Sequence, residues 1–130
     1  MNRRQIIVLA VVGIVAAALV AGLAFRPAPS SPPPTKVFYV SARTAENGNF
    51  NVTAITVNQG DHVVIRMRSL DTTHGVFLST PWITINKLAP PGQEIVVEFD
   101  AFQKGTYTIH CANALCSPRH GEMTITLTIQ

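Results

Sequence analysis

From Met123 to Ile129 the chain alternates without a break: Met123, Ile125, Leu127 and Ile129 are interleaved with Thr124, Thr126 and Thr128. A period of two places every apolar side chain on one face of a strand and every threonine on the other, a pattern that no helix can bury. The same alternation recurs upstream. Val63, Ile65 and Met67 alternate with Val64, Arg66 and Arg68; Ile95, Val97 and Phe99 alternate with Val96 and Glu98; Tyr107, Ile109 and Cys111 alternate with Thr106, Thr108 and His110. Further strands are expected near residues 37–43, 50–57 and 75–79. Turn formers separate these runs: Asn47-Gly48, Asn58-Gln59-Gly60-Asp61, Pro90-Pro91-Gly92 and Lys104-Gly105. Many short strands between such turns predict an all-β sandwich or barrel with Greek-key connections over residues 36–130. No helical period follows residue 35, and no internal repeat is present.

The N-terminal region has a different character. Ile6 to Phe25 is a run of twenty residues without a charge, and a helix needs about 20 apolar residues to cross a bilayer. A cleaved signal peptide is the competing reading, with Gly22-Leu23-Ala24 as its small-residue site, but such apolar cores run to only about 7–15 residues. Residues 1–26 are therefore expected to be a retained transmembrane anchor. Arg3 and Arg4 favour an inside N-terminus, against the weaker pull of Arg26. Residues 27–35 carry five prolines and predict an extended, semi-rigid linker. The domain at 36–130 is thus expected on the extracytoplasmic side of the cell membrane, held by a single span.

The net charge of +3 misleads if taken as a property of the domain. Arg3, Arg4 and Arg26 flank the apolar run, while seven cationic and seven acidic residues fall from Lys36 onward. A domain of formal charge zero has no concentrated basic face for phosphates, which argues against a nucleic-acid partner.

Candidate chemistry lies in the loop between the strand ending at Cys111 and the strand starting at Met123. Two thiols, an imidazole and a thioether (Cys111, Cys116, His120 and Met123) fall within thirteen residues. Thiolate and thioether select copper, and imidazole suits copper or zinc. Two histidines and a cysteine with a weak axial methionine make up a copper electron-transfer site, so a second histidine is needed. His74, next to a predicted strand, is the best placed. His62 opens a strand beside a turn, and His110 has the opposite parity to Cys111 and should point away from it. Two roles are open to Asp71, a hydrogen bond that orients His74 and a turn role near Thr72-Thr73. No serine–histidine–acid set or paired catalytic carboxylate stands out, so the chain is not read as an enzyme by itself.

Asp71-x-x-His74-Gly75, the Pro91-Gly92 turn, Gly105-x-Tyr107 and Cys116-x3-His120-x2-Met123 together resemble the CuA domain of cytochrome c oxidase subunit II, in its small form with one N-terminal helix. Nitrous oxide reductase carries a similar domain. The resemblance implies a cupredoxin fold holding two coppers bridged by Cys111 and Cys116. It makes His74 and His120 the terminal ligands, Met123 a weak axial ligand, and a backbone carbonyl, of Asn113 or Ala114, the remaining one. It implies a cytochrome c or small copper protein as electron donor and a haem-bearing membrane subunit as acceptor. The chain departs from the family in having four residues between the cysteines rather than three, no glutamate in that loop, and no aromatic-rich stretch between its early strands. Three other readings stay open on the residues alone: a mononuclear site of His74, Cys116, His120 and Met123, a copper storage or delivery protein, and a copper-free domain closed by a Cys111–Cys116 disulfide.

Overall fold

The computed structural model describes residues 30–130, and the anchor expected at residues 1–26 lies outside them. Among the described residues, no helix is long and apolar enough to cross a membrane. Residues 30–34 are exposed and without regular structure. Eight strands follow: β1 (Thr35–Ala42), β2 (Ala54–Val57), β3 (His62–Ser69), β4 (His74–Ser79), β5 (Thr84–Ala89), β6 (Glu94–Asp100), β7 (Gly105–His110) and β8 (Thr124–Ile129). They form two sheets, of order β1-β3-β6 and β2-β8-β7-β4-β5. β1 pairs parallel with β3 and β2 parallel with β8; the other pairings are antiparallel. The architecture is the all-β sandwich that the alternating sequence requires.

The alternation becomes burial. In β3 the side chains of Val63, Ile65, Met67 and Ser69 are buried, while Arg66 and Arg68 face water. In β8 Ile125, Leu127 and Ile129 are buried between partly exposed threonines. These rows meet Leu78 from β4, Ile109 from β7, and Val97 and Phe99 from β6 in one core.

Two local expectations change. The strand expected at 50–57 shortens to Ala54–Val57; Phe50 instead makes an isolated bridge to Ala42 and buries its ring in the core. β5 was not foreseen. It is an edge strand in which only Ala89 is buried, so the chain there carries no apolar rhythm to read. The turns behave as their residues suggest. Gln93 N–H donates to the Pro90 carbonyl at 3.0 Å, with Gly92 at φ +75° between them, the conformation that a Pro-Gly pair is suited to.

The pairings give the sandwich two poles. Odd-numbered strands run from the lower pole to the upper, and even-numbered strands run back. The chain enters at the lower pole, where His62 N–H donates to the Pro34 carbonyl at 2.8 Å. The loop from Cys111 to Met123 lies at the upper pole, between the end of β7 and the start of β8.

Leu127→Ala is expected to lower unfolding free energy by about 2–5 kcal/mol, from lost burial and the cavity left behind. Thr126→Ala, one residue away on the outer face, should stay within about 0.5 kcal/mol. Urea denaturation of both variants checks the assignment of faces.

Candidate metal centre

The last rung of the β7–β8 ladder positions the loop. Cys111 N–H donates to the Met123 carbonyl at 3.1 Å, so the first cysteine and the methionine are the two feet of one hairpin. Beyond them the loop folds as a chain of tight turns. Cys116 N–H donates to the Asn113 carbonyl at 3.2 Å, His120 N–H to Ser117 at 3.1 Å, and Met123 N–H to His120 at 2.9 Å. His120–Glu122 form one turn of 3-10 helix.

His74 arrives from the neighbouring strand. β4 pairs antiparallel with β7 at Phe77↔His110 and Leu78↔Ile109, so stepping back along β4 moves alongside the loop as β7 leads into it. Asn113 Nδ2 ties the loop to that neighbour by donating to the Thr73 carbonyl at 2.7 Å. Gly75 makes the close approach possible. A Cβ there would lie 2.7 Å from the Ala112 side chain and 2.5 Å from the Lys87 carbonyl, so any larger residue would push the loop off β4.

The donors converge. His74 Nδ1 is 3.8 Å from Cys111 Sγ. The two sulfurs are 3.4 Å apart and not bonded to each other, and Cys116 Sγ is 3.6 Å from Met123 Sδ. The His74, Cys111 and Cys116 donors all lie within 4.8 Å of one another. His74 and Met123 are 0% exposed, and the cysteines only 5% and 6%. The Asn113 carbonyl lies 3.7 Å from Cys111 Sγ, which places one of the two candidate backbone ligands at the edge of this group. His120 is half-buried and stands outside the cluster of donors. His110 is exposed, on the opposite face from Cys111. His62 sits at the lower pole, hydrogen-bonded through Nδ1 to Asp100 at 2.8 Å.

Asp71 fixes the imidazole. Its Oδ1 lies 2.6 Å from His74 Nε2, which puts the ring proton on Nε2 and turns the Nδ1 lone pair towards the sulfurs. Burial raises the Asp71 carboxyl, but the Thr44 N–H, the His74 ring and the Thr72 N–H outweigh that and hold it below the usual carboxylate range. Cys116 is tuned the other way. Burial first, then the adjacent Cys111 sulfur, push Cys116 up to about 12. Metal-free, this is a protonated thiol, and a cation must displace that proton to gain a thiolate.

A further brace was not foreseen in the sequence. Ser117, buried in the loop, donates to Glu46, whose oxygens lie 2.9 and 2.8 Å away, and accepts from Arg119 N–H at 2.9 Å. The backbone N–H of Glu46 itself, then the Ser117 hydroxyl, keep this carboxyl below its ordinary value. Seventy-one positions separate Glu46 from Ser117, so no local pattern could reveal the pair.

Buried nitrogen, two thiols and a thioether with no competing carboxylate among them suit a soft metal, and the donor set fits copper. An all-β sandwich with such a pocket at one pole defines a class of copper-binding domain. The family model of the cupredoxin-like domain matches residues 14–125, and the chain belongs to that family. No curated protein matches it in sequence. Among solved structures it is similar to auracyanin A, a blue copper protein of Chloroflexus aurantiacus, at 19% identity and TM-score 0.58, over 74% of this chain and 99% of that one. It is similar to a chain of a heme-copper terminal oxidase dimer at 18% identity and TM-score 0.58, over 98% of this chain and 100% of that one. It also matches a laccase from Botrytis aclada at 17% identity and TM-score 0.60, over 78% of this chain but only 23% of that one. At these identities the likeness is one of fold.

Two outcomes are expected. Asp71→Asn should weaken copper binding by about 10–100-fold, the usual effect of losing the partner that orients a ligating histidine, as read by chelator competition. Copper affinity should rise with pH through the neutral and alkaline range, because the raised Cys116 thiol must shed its proton on binding; the same competition run across pH tests the sign.

Proposed function

We propose that this chain is a copper electron-transfer protein of the CuA kind, anchored in the cell membrane by its N-terminal segment with the copper domain on the extracytoplasmic side. The observation that carries the reading is the buried sulfur pair at 3.4 Å, flanked by His74 Nδ1 and Met123 Sδ. Two thiols facing each other across so short a gap suit a pair of shared metal ligands, whereas a mononuclear site needs only one. His74, Cys111, Cys116 and Met123 would hold the metal, with His120 closing the set from the loop. Copper there supplies a one-electron carrier.

The protein's part is to keep its donors still. Cys111 and Met123 are held by the sheet, His74 by Asp71, and the loop by Ser117 on Glu46 and by Asn113 on Thr73. Donors that cannot relax lower the reorganisation that accompanies each electron. A cytochrome c or small copper protein fits the role of donor, and a haem-bearing membrane subunit that of acceptor. The approach of Cys116 Sγ to Met123 Sδ at 3.6 Å also suits a second reading, a mononuclear cupredoxin of His74, Cys116, His120 and Met123, and a readily exchanged copper would favour storage or delivery.

Copper stoichiometry and electron spin resonance on the full chain decide among these. Two coppers sharing one unpaired electron are expected, with Cys111→Ser and Cys116→Ser each abolishing the shared signal. One copper that survives Cys111→Ser overturns the bridged centre in favour of the mononuclear one. Loss of copper to a modest chelator within the time of mixing overturns the relay in favour of delivery.

A further inference from the structure

We propose that the open edge of β1, with the cleft beside Tyr39, takes up an extended peptide segment of a partner protein as one further strand, parallel to β1 and ending in a carboxylate. Neither the metal nor the N-terminal segment enters into this contact.

The edge is open because of its parity. β1 lies at the end of the three-stranded sheet and pairs only with β3. Pro34 and Ala42 turn their carbonyls towards β3, where they accept from His62 and Leu70 N–H at 2.8 and 3.0 Å. Ser41 faces the other way: its N–H donates to Asn51 Oδ1 at 2.7 Å, and its carbonyl accepts Asn51 N–H at 3.1 Å. Backbone polar groups alternate sides along a strand, so Val37 and Tyr39, which share the parity of Ser41, present theirs to the open side. Among the described residues no segment pairs with that side. Asn51 closes the edge above, and Pro33 and Pro34, which have no N–H, close it below. The stretch left between them, Thr35 to Tyr39, is a template that one more strand fits.

The chemistry beside the edge selects the segment. Val37 and Tyr39 are 46% and 69% exposed and offer apolar contact to the alternate side chains of an added strand. A cleft of about 220 Å³ adjoins them, lined by Tyr39, Ser41, Asn51, Arg66, Arg68 and Glu94. Glu94 stands opposite Arg68 in the β3–β6 ladder. Its carboxylate is taken by Arg66, however, whose Nε and Nη2 donate to Oε1 at 2.9 and 2.5 Å. Arg68 is exposed and, among the described residues, makes no ion pair. The cleft thus sets two guanidiniums against one carboxylate. Asn51 spends its side-chain oxygen on Ser41, which leaves its amide nitrogen as a further donor. A carboxylate is the group that satisfies such a set of donors.

Charge along the edge sets the direction. At the Thr35 end the outer face of the sheet carries Asp100 and Glu98, which flank His62. At the Ser41 end it carries Arg68. A segment with its terminal carboxylate in the cleft and its chain running back past Tyr39 and Val37 lies parallel to β1 and keeps its terminal charge beside the cation. A second copy of β1 brings no carboxylate to Arg68, because Lys36 is the one charged residue from Thr35 to Tyr39. The donors of the cleft therefore favour a different chain as occupant.

The probe is a fluorescein-labelled pentapeptide of alternating threonine and valine with a free terminal carboxylate, set against its C-terminal amide. Fluorescence anisotropy reads the binding of each to the full chain in detergent micelles. The free acid is expected to bind about tenfold more tightly than the amide, the worth of one charge-assisted contact. Arg68→Gln should bring the acid down to the level of the amide and leave the amide unchanged. Tyr39→Pro, which removes an outward donor and no bond to β3, should weaken both forms, with a urea midpoint checking that the domain folds. If that variant does not fold, slowed exchange of the Val37 and Tyr39 amide protons on adding the acid supports the edge in its place, and unchanged exchange overturns it. Equal binding of acid and amide, no effect of Arg68→Gln, or no binding of either peptide overturns the proposal. Dimerisation of the chain with rising concentration, abolished by Tyr39→Pro, gives the edge to a second copy and overturns it as well.

Discussion

The backbone hydrogen bond from Cys111 N–H to the Met123 carbonyl, 3.1 Å long, is the constraint from which the site is built. It is the final rung of a ladder that begins at Gly105↔Ile129 and runs through six residue pairs. Because β7 and β8 are each packed on the core, the feet of the loop inherit the rigidity of the sheet. Met123 is then both the last residue of the loop and a fully buried member of the core, so the thioether is aimed by the same packing that stabilises the fold.

The third element, β4, brings the imidazole. Its register on β7 sets His74 beside the loop, and three features keep it there: the Asp71 carboxylate on Nε2, the Asn113 amide on the Thr73 carbonyl, and the bare backbone of Gly75 under Ala112. The same Asp71 also receives Thr44 N–H at 2.8 Å, just beyond the end of β1. One carboxylate thus links the first strand of the small sheet to a ligand on the large one. The partial burial of this carboxylate is offset because both of its oxygens accept hydrogen bonds.

The molecule is consequently polar in its design. One end holds a buried cluster of soft donors braced by the hydrogen bonds of Asp71, Asn113 and Ser117; the other carries Trp82, Phe102 and Tyr107. Leu115, 92% exposed, marks the tip of the metal loop, in the four-residue interval between the cysteines. That interval bends outward and leaves both sulfurs facing each other inside, so the additional residue appears as a protrusion and the thiol pair stays intact.

Much of this was legible beforehand. The period of two in β3, β6, β7 and β8 is a direct imprint of a half-buried strand, and it identified the buried face because burial alone rewards an apolar side chain at every second position. The parity of β7 likewise separated Cys111 from His110. The clustering of Cys111, Cys116, His120 and Met123 named the loop and pointed to copper, since those donor types serve little else together. What tertiary structure alone decided is of another kind. β5 carries no rhythm because an edge strand buries almost nothing, and the Glu46–Ser117 brace joins residues whose proximity exists only once two sheets are stacked. The convergence of His74 with the sulfurs, the standing of His120 apart from them, and the placement of chain entry and metal loop at opposite poles follow from strand register and order. Those are settled by pairing between distant segments, and a linear pattern of side chains encodes which face a residue takes but not which neighbour it meets.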